Sequence, residues 1–186
     1  MVGWVKIRIM KTTRLLLVLV FGLFGVADLL RAAASAPQSP QRVKVIFFQP
    51  EKFTDVRDSY PGTDSGRESY LSELRDHLQK RARDVVAEGN KLTITVTDVD
   101  LAGDFEPGRS RLGNDVRIVR DVYPPRIKLS FKLQDAGGKV LKEGTRKLEN
   151  VMFQAEPTLD PSDPLRYEKV LLDDWLRKEF GAARKK

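Results

Sequence analysis

The stretch Lys91 to Gly103, KLTITVTDVDLAG, constrains the fold more than any other part of this chain. Leu92, Ile94 and Val96 alternate with Thr93, Thr95 and Thr97, the period of two expected of a β-branched strand with one buried face. After Thr97 the phase breaks. Continued unchanged, the alternation would turn Asp98 and Asp100 into the core and Val99 and Leu101 to water. A β-bulge near Asp98 repairs this by re-aiming every later side chain by one residue.

The segments around this strand extend the pattern. Arg42 to Phe48, RVKVIFF, predicts a strand whose end is apolar on both faces, as in a sheet interior. The segment Glu51 to Gly66 reads as loop with Phe53 tucked back as an anchor, and Ser65 with Glu68 forms a capping box opening a helix that Gly89 stops. Tyr70, Leu71, Leu74, Leu78, Ala82, Val85 and Val86 give that helix one apolar face. Gly103 to Asn114 is a long hairpin loop carrying Arg109 and Arg111, a candidate functional loop. Asp115 to Val122 resumes alternation, and its phase places Arg120 inward, to be held by Asp98 or Asp100. Pro124 and Pro125 then mark an edge, kink or bulge.

Ile127, Leu129, Phe131 and Leu133 alternate with Arg126, Lys128, Ser130 and Lys132, and DAGG at Asp135 to Gly138 turns the chain into a return strand, Lys139 to Leu148. Asp163 and Pro164 read as cap and first turn of a closing helix striped by Leu165, Leu172, Trp175, Leu176 and Phe180. The expected fold is α+β. A mainly antiparallel sheet of about four to five strands carries two helices on one face, in the order β-α-β-β-β-α.

The N-terminus predicts export. Lys6, Arg8, Lys11 and Arg14 precede the apolar run Leu15 to Ala27, and small residues Ala32 to Ala36 follow. The run falls short of the roughly 20 apolar residues of a comfortable span, and Asp28 and Arg31 interrupt it, so no stable span is expected after cleavage. An uncleaved anchor is the competing reading. The organisation is then a signal peptide over 1–34, a flexible leader over 35–41, one α+β domain over 42–180 and a basic frayed tail over 181–186. With 186 residues, 41% of them hydrophobic, the chain has room for one ordinary domain. Residues 1–34 account for more than half of the formal charge of +7, so the domain is only mildly basic and no nucleic-acid partner is expected. The chain has no cysteine, which excludes a disulfide framework, thiolate chemistry and lipidation at cysteine.

QPEKFTDV at Gln49 to Val56, VTDVDLAG at Val96 to Gly103, YPPRI at Tyr123 to Ile127 and YEKVLLDDW in the closing helix together resemble an uncharacterised bacterial envelope family, catalogued as domain of unknown function 3016. The resemblance covers nearly all of the mature chain. It implies a Gram-negative periplasmic location and brings no activity, cofactor or catalytic residue with it.

Two function classes stand on the residues themselves. The first is a non-enzymatic binding module for an acidic envelope protein or an anionic lipid headgroup. Arg126, Lys128, Lys132, Lys142, Arg146 and Lys147 would supply its contacts, since a period of two forces strand residues of one parity to one side. The alternative is a metal-dependent enzyme centred on Asp98, Asp100 and Asp104, which with Glu106 place four carboxylates within nine residues. Against it, EF-hand spacing is absent and these acids equally suit capping or pairing with Arg109, Arg111 or Arg120. His77, the single histidine, borders the apolar stripe of its helix without an evident catalytic partner. No G-x-S-x-G elbow occurs, and AGGK at Ala136 to Lys139 sits in a hairpin rather than before a helix, so no phosphate loop and no cofactor are expected.

Overall fold

The computed structural model describes residues 42–108, 114–158 and 160–181. The expected signal peptide and leader, Arg109, Arg111 and the tail beyond Gly181 lie outside the described residues. Strand β1 (Val43–Phe47) leads through a 3-10 turn (Pro50–Lys52) to helix α1 (Asp64–Val85) and strand β2 (Lys91–Asp100). Two short strands, β3 (Asp104–Phe105) and β4 (Arg117–Ile118), pair only with each other. Strands β5 (Arg126–Gln134) and β6 (Val140–Glu149) form a hairpin, and a second 3-10 turn (Phe153–Ala155) precedes helix α2 (Arg166–Phe180).

The fold is α+β, and its main sheet has the order β1-β2-β5-β6. Three details differ from the expectation. The sheet is mixed, because β1 runs parallel to β2 while β2, β5 and β6 are antiparallel to their neighbours. Parallel neighbours require a long crossover, and α1 supplies it. β1 is consequently an edge strand and not interior, which leaves Phe48 56% exposed. The stretch Asp115 to Val122 is not a strand of this sheet; only Arg117 and Ile118 pair, and Val116 and Val122 face solvent.

The bulge is where the sequence places it. Val96 pairs with Leu129 and Asp98 with Lys128, so Thr97 is the extra residue. Val96, Val99 and Leu101 are all buried as a result, and Asp98 and Asp100 stand on the opposite side. The inward faces of β1, β2 and β5 meet Leu71, Leu74 and Leu78 of α1 and Leu172, Trp175 and Leu176 of α2 in one core. Both helices therefore cover the same face. Phe131 lies 5.8 Å from the Trp175 ring and 5.3 Å from that of Phe180, so α2 is keyed to β5 by aromatic edges. Phe53 packs edge-on against Phe47 at 6.2 Å, the expected anchor.

The helix starts also shift. Thr63, not Ser65, caps α1: the Gly66 N–H donates to its hydroxyl at 2.9 Å, because Thr63 keeps extended backbone while Ser65 is already helical. Asp163 lies two residues before the N-cap of α2, which is Leu165. Its carboxylate accepts from the Leu165 N–H at 2.8 Å, closing a turn before the helix begins at Arg166.

Candidate functional site

The expected basic surface divides across the sheet. Lys128 pairs with Lys147, Leu129 with Arg146 and Leu133 with Lys142, so opposed residues share a face and the two parities separate. Arg126, Lys128, Lys132 and Lys147 stand on the open face. Lys142 and Arg146 stand on the helix side instead. There Arg146 grips Glu179 at 2.8 and 2.9 Å and lies 5.2 Å from the Phe131 ring, and Lys142 reaches Glu179 at 2.8 Å. Burial raises the Glu179 carboxyl, but these two cations outweigh it and hold the group below its ordinary range.

On the open face three of the four cations meet acids on neighbouring strands. Lys128 bonds Asp98 at 2.7 Å, Arg126 bonds Glu149 at 2.8 Å and Asp100 at 3.2 Å, and Lys132 approaches Glu143 at 3.6 Å. Lys147 has no acidic partner among the described residues, and it is directly opposite Lys128. Between these charges runs a shallow depression of about 540 Å³ whose floor carries Thr93, Thr95, Ser130 and Thr145. No described element covers it.

The carboxylates Asp98, Asp100 and Asp104 are not gathered round one point. Asp98 accepts from the Thr54 N–H at 2.8 Å besides its Lys128 pair, Asp100 belongs to Arg126, and Asp104 receives Arg57 at 3.1 Å. Among the described residues no three carboxylates or histidines converge as metal ligands would. Burial lifts Asp100 above the ordinary aspartate range, aided by the nearby charges of Asp55 and Asp98 and opposed by Arg126. His77 Nε2 lies 2.8 Å from Asp173, which also accepts from Arg81 at 3.0 Å, so the histidine ties α1 to α2.

A second constellation was not evident from the sequence. At the C-terminal end of β2, Asp55 is 5% exposed and receives Arg57 at 2.8 Å and Arg117 at 2.9 Å. Arg117 also donates to the carbonyls of Gly103 at 2.8 Å and Arg57 at 3.0 Å, and its guanidinium lies 4.7 Å from the Phe105 ring. Asp55 pairs with Asp100 as an isolated parallel bridge, which extends the sheet by one residue. Glu168 completes the junction from α2. It is 1% exposed, its Oε1 accepts from the Ala102 N–H at 2.7 Å, and its Oε2 has no partner among the described residues. Burial pushes this carboxyl well above its ordinary range.

The phase reading of Arg120 is corrected here. Arg120 is exposed and meets Glu106 at 3.1 Å, not Asp98 or Asp100, and Arg117 is the inward guanidinium. The loop after Ile118 turns instead of continuing the strand, so the period of two no longer assigns faces. Arg120→Ala is expected to cost only about 1 kcal/mol, the upper range of an exposed pair, because Tyr123 still donates to Glu106 at 3.2 Å. Urea unfolding checks this, and a loss above 3 kcal/mol would restore the buried pair.

An α+β domain with one sheet face closed by helices and the other left open by the described residues, its polar clusters built mostly of ion pairs between neighbouring elements, is a scaffold that offers a surface more than a pocket. The chain belongs to the family described as Protein of unknown function (DUF3016), whose model matches residues 41–178. No curated protein and no solved structure matches the chain.

Proposed function

We propose that the protein is an exported, non-enzymatic binding module of the cell envelope, and that its open sheet face receives an acidic segment of another envelope protein. The observation that carries this reading is the pairing of Lys128 directly opposite Lys147 on an uncovered face. Like charges opposed on a sheet destabilise it by a few tenths of a kcal/mol, and among the described residues only Lys128 has an acid to relieve it. An anionic group bridging the two would relieve both. Export rests on the succession of basic, apolar and small residues through Ala34.

The same face argues for protein over lipid. Asp98, Asp100, Glu143 and Glu149 stand among its cations, so a uniformly anionic membrane would meet as much repulsion as attraction. A peptide can set its acids against Lys128, Lys132 and Lys147 and leave its backbone to the hydroxyls of Thr93, Thr95, Ser130 and Thr145.

Neutralising Lys128 and Lys132 together, as Lys128→Ala with Lys132→Ala, tests the reading. Charge reversal at Lys128 would set two carboxylates side by side at Asp98, so the neutral change is cleaner. Retention on an immobilised acidic peptide at low salt is expected to fall about tenfold, two exposed pairs together supplying about 1.4 kcal/mol. Unchanged retention overturns the reading, and stronger retention on anionic phospholipid vesicles than on the peptide overturns its choice of partner.

A further inference from the structure

β6 ends the sheet, and among the described residues nothing pairs with its outer edge. A strand left this way presents a row of unpaired N–H and C=O groups, which folded chains ordinarily shorten or cover. This one runs ten residues and is exposed along most of its length. Of the eight large apolar side chains left exposed among the described residues, four, Val140, Leu141, Val151 and Met152, lie on β6 or just past it.

We propose that this edge pairs antiparallel with the same edge of a second copy of the chain, centred on Thr145, so that two four-stranded sheets become one sheet with all helices on one side. Residues opposed across an antiparallel pair share a face. Pairing with β5 fixes which those are: Lys142, Gly144, Arg146 and Leu148 face the helices, and Glu143, Thr145 and Lys147 face the open side. Each choice of central residue then defines one register. Centring on Glu143 sets that acid against itself, and centring on Gly144 sets Lys142 against Arg146. Centring on Arg146 opposes that residue to itself and Glu143 to Glu149, and centring on Lys147 opposes two lysines. Centring on Leu148 opposes Glu149 to Lys147 but leaves only residues 147–149 of each β6 in the pair, whereas centring on Thr145 engages 141–149 and also opposes unlike charges. Glu143 then faces Lys147 of the second copy, twice by symmetry, with Thr145 against Thr145.

The ends agree with the centre. In this register Val140 of one copy faces Asn150 of the other, one residue from Val151, so an exposed apolar group of each copy comes close at both ends. Leu141 is itself the extra residue of a bulge, since Leu133 pairs with Lys142 and Gln134 with Val140. That bulge stops the ladder and, with the charges, bars slipped registers. The pairing sets Glu143 beside Lys147 at the edge and leaves Lys128 and Lys132 on β5 open to the acidic segment proposed above.

The absence of cysteine makes the test direct. Thr145→Cys, introduced into the full chain, brings two thiols together at the symmetry centre, and oxidation by oxidised glutathione is expected to convert the chain to a covalent dimer on non-reducing gels. Lys44→Cys, exposed on β1 at the other sheet edge, is expected to remain monomeric. Adding Glu143→Lys or Lys147→Glu to Thr145→Cys opposes like charges and should abolish cross-linking in each variant alone. Mixing these two variants opposes unlike charges again and should restore it. The proposal is overturned if Thr145→Cys stays monomeric, if Lys44→Cys cross-links as fast, or if the mixture fails to recover. Lys128 and Lys132 lie on β5, away from this edge, so loss of the acidic-peptide interaction leaves this result untouched.

Discussion

Replacing Arg117 by alanine is expected to destabilise the domain by about 3 to 5 kcal/mol, the cost of breaking a buried ion pair from one side. The size follows from what the guanidinium leaves behind. Asp55 keeps only Arg57, the carbonyls of Gly103 and Arg57 lose their donor, and the Phe105 ring loses the nearer of the two guanidinium groups beside it. Burial raises the Asp55 carboxyl, but Arg57 and Arg117 more than offset it and hold the group below the ordinary aspartate range. A carboxyl depressed in the folded state stabilises above its unfolded value, near pH 4, and that stability is lost as pH falls through the folded value. The variant should therefore lose less than wild type on acidification. Urea unfolding at pH 7 and below pH 4 measures both. A loss under about 1 kcal/mol at pH 7 would mean that Asp55 is relieved by solvent and that the junction is a surface feature.

Glu168 should show the opposite pH dependence. Its carboxyl is raised by burial, so the folded state prefers the protonated form. Stability from this group is complete below the unfolded value, near pH 4.3, and is lost as pH rises toward the folded value. Glu168→Gln keeps an oxygen for the Ala102 N–H and removes the titration, so its stability should stay flat over the range where wild type declines. Glu168→Ala strands the Ala102 N–H in the core and opens a void, at a cost of about 3 kcal/mol. Thermal unfolding of the three proteins between pH 4 and pH 8 separates these outcomes. A wild type whose stability stays as flat over that range as that of Glu168→Gln would show the carboxyl to be charged and satisfied.

The contrast between these two sites shows what a single sequence carries. The bulge at Thr97 was legible because the strand's apolar phase changes within one uninterrupted stretch, and a change of phase has one cheap physical remedy. The faces of β5 were legible for the same reason. Arg120 was misplaced because alternation was extended through a segment that only pairs for two residues, and a turn has no period. The parallel placement of β1 depends on a partner about fifty residues away, which local pattern does not address. The division of the basic residues was hidden by the bulge at Leu141 and by the register of the hairpin, which together decide parity on β6. Asp55 sits outside any periodic run and gave no signal. Glu168 did give one: it falls between Leu165 and Leu172 on the apolar stripe of α2, a charged residue at a core position.

The bulge in β2 also sets a rule for chain length. Upstream of Thr97 the strand answers to the core through Leu92, Ile94 and Val96, and downstream through Val99 and Leu101, so the two halves are in phase only with one residue between them. Gain or loss of a single residue there would exchange Val99 and Leu101 for Asp98 and Asp100 at the core face, and with them the bridge to Asp55 and the seat of Glu168. Among the described residues, those between Phe105 and Arg117 belong to no strand whose phase must be kept. Length variation among related chains is therefore expected to collect between β3 and β4, while the spacing from Leu92 to Ala102 stays fixed to the residue.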